Sequence, residues 1–64
     1  MNAENEYYAA LERLKANKPT VLPKGSAINN DTVALEAGRK RGSIKKSRNA
    51  ALVEAIEQAA QEAG

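Results

Sequence analysis

The chain has 64 residues, with 10 Lys/Arg against 8 Asp/Glu, no Cys, no His and two aromatic residues, Tyr7 and Tyr8. A chain of this length supports one domain with a small core, and no disulfide or thiolate–imidazole metal site can reinforce it. It holds no apolar run near the roughly 20 residues a membrane span needs, and its acidic start lacks the order of a signal peptide, so the expected location is cytoplasmic.

Charge is segregated along the chain. Residues 1–36 carry four Lys/Arg against five Asp/Glu, residues 49–64 carry Glu54, Glu57 and Glu62 without a base, and the stretch between them is purely basic. That stretch holds Arg39, Lys40, Arg41, Lys45, Lys46 and Arg48 and no acid. Concentrated positive charge between acidic flanks is the electrostatic pattern of a nucleic-acid-binding surface.

The first predicted element is a helix over 3–17. Tyr7, Leu11 and Leu14 fall at i, i+4 and i+7, Ala3 and Ala10 lie near the same face, and Pro19 stops it. Residues 18–26 include Pro19, Pro23, Gly25 and Ser26 and read as a connecting loop, with Val21 and Leu22 tucked against the helices.

A second helix is predicted over 30–37. Asn29 is a favoured N-cap, Ile28 and Val33 suit a hydrophobic staple, and Gly38 suits the left-handed residue past the helix end. Val33, Ala34 and Ala37 should face inward. A third helix is expected over 42–48, anchored by Ile44. A fourth is expected over 50–63, where Leu52, Ile56, Ala59 and Ala63 recur in heptad-like steps. That stripe reads first as a core face. A homodimer seam, or the start of a longer coiled coil, is the alternative.

The expected fold is therefore all-α, a single module of three or four helices over 1–64. Within it, residues 29–48 read N-N-D-T-V-A-L-E-A-G-R-K-R-G-S-I-K-K-S-R. The pattern V-A-x-x-A-G-x-x-x-G-S-I resembles the helix-turn-helix of tetracycline-repressor-type regulators. The match rests on Val33, Ala34, Ala37 and Gly38, followed by Gly42, Ser43 and Ile44. Arg39 replaces a usual aliphatic, Lys40 a small polar cap, and Lys45 an aromatic, and the regulators' ligand-binding domain has no counterpart here. The chain is also similar to the N-terminal module of plasmid KfrA-type proteins and transposon accessory proteins. The resemblance implies a transcription regulator or mobile-element accessory protein that binds double-stranded DNA, with Gly42 opening the recognition helix.

On that reading Arg39 and Arg41 contact guanine edges, since a guanidinium fork matches the O6/N7 pair. Lys40, Lys45, Lys46 and Arg48 contact phosphates, and Ser43 and Ser47 add hydrogen bonds. No cofactor or metal is implied. Catalysis is not expected: there is no His or Cys, the carboxylates paired at helical spacing, Glu54 with Glu57 and Glu62 beyond, face solvent, and Gly38-x-x-x-Gly42 lacks the context of a phosphate-binding loop. The rival to DNA is an acidic protein partner or RNA, although the basic stretch offers no aromatic on which bases could stack.

Overall fold

A computed structural model describes residues 3–63, with Ala3 and Ala63 described in their backbone only. Among these residues there are three α-helices and no strand: α1 (Ala3–Lys15), α2 (Asn30–Glu36) and α3 (Ala50–Ala63). α1 packs against both α2 and α3, and α2 touches α3 over a smaller area.

α1 forms where the pattern placed it. Glu4 and Glu6 stand in its first turn and Arg13 and Lys15 in its last, each on the favourable side of the helix dipole. Tyr7, Ala10, Leu11 and Leu14 are buried. The helix ends two residues earlier than expected, and Asn17 rather than Pro19 ends it. Asn17 takes a left-handed φ of 57°. Lys18 N–H then donates to Arg13 O (2.8 Å) and Asn17 N–H to Leu14 O (3.1 Å), the paired bonds of a Schellman cap.

α2 is capped at both ends as its sequence predicts. The Asn29 side-chain oxygen accepts from Thr32 N–H (2.9 Å) while Asn29 N–H donates to Thr32 Oγ1 (2.9 Å). At the other end Gly38, with φ 79°, closes a second Schellman cap, with Arg39 N–H on Ala34 O (2.8 Å) and Gly38 N–H on Leu35 O (3.0 Å). Val33 and Ala34 are fully buried, and Ile28 and Ala37 pack on the same core.

α3 buries Leu52, Val53, Ile56 and Ala59 in that core. The stripe that could have formed a homodimer seam is thus spent inside the chain, because a core this small needs every large aliphatic on α3. Ala63, the last residue of that stripe, has its side chain outside the described residues. No helix among the described residues is long and apolar enough to cross a membrane.

The loop between α1 and α2 is organised by a residue of α2 whose role no sequence periodicity reports. Glu36, at the end of α2, is 1 % exposed. Its carboxylate accepts from the backbone N–H groups of Thr20 (2.8 Å), Val21 (3.0 Å) and Leu22 (3.0 Å), from Thr20 Oγ1 (3.0 Å) and from Arg13 Nε (2.7 Å). Burial works to raise its pKa. The Thr20 backbone donor, the Arg13 guanidinium and the Leu22 and Val21 donors together outweigh burial and hold it at about 2, against an ordinary 4.5. Leu22 packs on the core as expected, but Val21 is 61 % exposed. The reason lies in the same bonds: the chain turns its N–H groups, not the Val21 side chain, toward the interior.

Candidate nucleic-acid interface

The basic stretch does not form the helix expected over 42–48. Residues 37–49 run from the end of α2 to the start of α3 through two turns. This corrects the recognition helix of the helix-turn-helix reading, whose two helices would be joined by a turn of only 3–4 residues. Three causes act together. Gly42 sits at φ 83°, a backbone state outside any right-handed helix. Ile44 has no second aliphatic three or four residues on, since Ser47 and Arg48 stand there, so a helix would have no face to bury. Arg41 with Lys45, and Lys45 with Arg48, would place like charges at i,i+4 and i,i+3.

The first turn, Lys40 to Ser43, is closed by Ser43 N–H on Lys40 O (3.1 Å), with Gly42 at its third position, where a positive φ is required in a type II turn. The second begins at Lys45, whose carbonyl accepts from both Arg48 N–H (3.0 Å) and Asn49 N–H (2.7 Å). Asn49 O then accepts from Val53 N–H (2.9 Å), the first bond of α3. Between the turns Ile44 is buried, as its role as anchor requires. Beside it Tyr7 Oη donates to Ser43 Oγ (3.0 Å), tying the stretch to α1. Ile44 and Ser43 thus pin the middle of the segment, while Lys40, Arg41 and residues 45–48 are exposed.

The structure divides the eight candidate residues into three groups. Lys40, Lys45, Lys46, Ser47 and Arg48 are exposed. None of the four cations among them forms an ion pair with a described residue. Arg41 is also exposed, at 71 % of its side chain, with Asp31 Oδ2 3.7 Å from its Nη1. Arg39 and Ser43 are engaged within the chain. Both Arg39 Nε and Nη2 donate to Glu6 Oε2 on α1, and the Glu6 carboxylate pushes the guanidinium pKa further above its already high value. Arg39, expected at a base edge, is thus paired with Glu6 in the unbound protein.

Residues 37–49 themselves contain no acid. The first turn of α3, which begins two residues after Arg48, contains no acidic residue. Glu54, Glu57 and Glu62 come later on the same helix and are exposed. Comparison with known proteins returned no family model, no curated protein and no solved structure that matches the chain.

Proposed function

We propose that the protein binds double-stranded DNA through the two basic turns between α2 and α3. One observation carries this reading: Lys40, Arg41, Lys45, Lys46 and Arg48 are all exposed within nine consecutive residues that contain no acid. Their backbone is closed by three turn hydrogen bonds and anchored through Ile44 and Ser43. Fixing a row of cations in advance lowers the ordering cost of meeting a row of phosphates.

In this reading Lys40, Lys45, Lys46 and Arg48 contact phosphates, and the Ser47 hydroxyl adds a hydrogen bond. Arg41, in the first turn with 71 % of its side chain exposed, is the candidate for a bidentate base contact. Duplex DNA is favoured over single-stranded RNA because the stretch has no stacking side chain, and Tyr7, the aromatic nearest to it in the fold, is buried. A role as a transcription regulator or mobile-element accessory protein follows from the resemblance of residues 33–44 alone and is part of the proposal.

Titration of a mixed-sequence duplex at 50 and 200 mM salt tests it. Neutralising about four phosphates should give a log–log slope near −4, which is a loss of roughly two orders of magnitude in affinity over that range. Absence of binding at the lower salt, or a flat salt dependence, overturns the proposal. Binding to a polyglutamate chain in preference to DNA would point instead to an acidic protein partner.

A further inference from the structure

We infer that Glu6 acts as a built-in competitor of phosphate, withholding Arg39 from an otherwise continuous basic surface. The inference rests on the DNA-binding reading and concerns which cations take part. Arg39 immediately precedes Lys40, so by position it belongs to the row of cations. Yet it alone among the six has two nitrogens bonded to one carboxylate oxygen of a different helix, thirty-three residues away in the chain. The pair is at the surface, with Arg39 45 % and Glu6 44 % exposed, so DNA could reach it without unfolding anything.

Two physical terms decide whether it would. The carboxylate is held beside the guanidinium by the fold, and so it competes at a high effective concentration. A phosphate that took Arg39 would also leave Glu6 unpaired next to a polyanion, so the exchange returns less than a contact from a lone lysine. The arginine therefore stays with Glu6 in the complex. Its work is to position: it ties the start of the first basic turn to α1, as the Tyr7–Ser43 bond ties its end. The Arg41–Asp31 approach, at 3.7 Å and with Arg41 mostly exposed, is too loose to do the same.

Four proteins separate the possibilities: the full chain, Glu6→Gln, Arg39→Ala and the double variant, each titrated with a mixed-sequence duplex over a range of salt. Glu6→Gln should steepen the salt slope by about 0.9, because one more cation becomes available. Arg39→Ala should leave the slope of the full chain unchanged, and the double variant should return to it. Glu6→Ala serves as a second release variant, and circular dichroism melts check that each protein is folded. A slope shallower by about one in Arg39→Ala, or no change in either Glu6 variant, overturns the inference while leaving DNA binding in place. Failure of the unmodified chain to bind duplex at low salt overturns the reading of the whole surface.

Discussion

Two irregular segments of this protein, residues 18–26 and 39–48, are similar in length and opposite in design. The first turns its backbone inward and gives three consecutive N–H groups to one buried carboxylate, Glu36. Further bonds close it locally, from Gly25 N–H to Asn17 Oδ1 (2.8 Å) and from Ser26 Oγ to Pro23 O (2.7 Å). The second satisfies itself with short turn bonds, buries one aliphatic and leaves most of its charge in solvent. The difference teaches where charge is used for stability and where it is kept available. The Glu36 charge that holds the first segment is neutralised, desolvated and structural. In the second segment charge is hydrated, mutually repelling and tolerated, which makes sense if a polyanion relieves the repulsion.

The sharpest break in this contrast is Glu36→Ala. It should cost about 3–5 kcal/mol, since it strands buried donors and removes the partner of Arg13. For a 64-residue chain with about 3–10 kcal/mol in all, that is most of its stability. A urea titration followed by circular dichroism should find the variant largely unfolded. A transition close to that of the unmodified chain would mean that the loop is held by something else.

Acid provides the same test without mutation. The folded pKa of Glu36 lies below its ordinary value, so its contribution is complete above pH 4.5 and is lost as pH falls toward about 2. The shift corresponds to roughly 3 kcal/mol. The melting temperature of the unmodified chain should fall through that window, while Glu36→Gln should start lower and fall much less.

Smaller effects are expected where helices meet. Ala34→Leu, at a site with no exposed surface, should cost about 1–3 kcal/mol by overpacking. Gly38→Val should cost about 1–2 kcal/mol. A Cβ there would meet no atom within 4 Å, so that cost is purely conformational, set by the positive φ of the cap. Thermal melts of both variants check these values, and unchanged midpoints would remove Ala34 from the helix contact and Gly38 from the cap.

The smallest stability effects belong to the basic turns. Lys45→Ala and Lys46→Ala should leave the melting temperature within error, because both side chains are exposed and neither forms an ion pair with a described residue. Each should weaken duplex binding on all sequences alike and lower the salt slope by roughly one. Arg41→Ala should instead relax preference at particular base pairs, at about 1–3 kcal/mol of discrimination, which a binding-site selection would reveal. Selection of one and the same site by both proteins would make Arg41 a backbone contact.

Much of the fold is legible in the sequence because its determinants are local. Asn29 and Gly38 announce the ends of α2 through capping chemistry, and the spacing of Leu52, Ile56 and Ala59 announces α3. Ile44 stands out as the lone aliphatic of a basic stretch, and it is buried. The same local signals suggest a third helix that does not form: Gly42-Ser43-Ile44 suits a helix start, but the residues after it supply no apolar face to continue. The role of Glu36 is not legible from periodicity, because its loop partners lie fourteen to sixteen residues back and Arg13 twenty-three. One signal did exist. Glu36 stands three residues after Val33 and one before Ala37, on the inward stripe of α2, where a carboxylate requires donors.

The contrast between the two segments is tested most directly by amide chemical-shift mapping of the isotopically labelled chain during titration with a mixed-sequence duplex at low salt. Perturbed amides should cluster in residues 40–48 and the first turn of α3, while Thr20, Val21 and Leu22, whose N–H groups are committed to Glu36, stay in place. Perturbations centred on residues 18–26, or spread along the acidic later turns of α3, would contradict it.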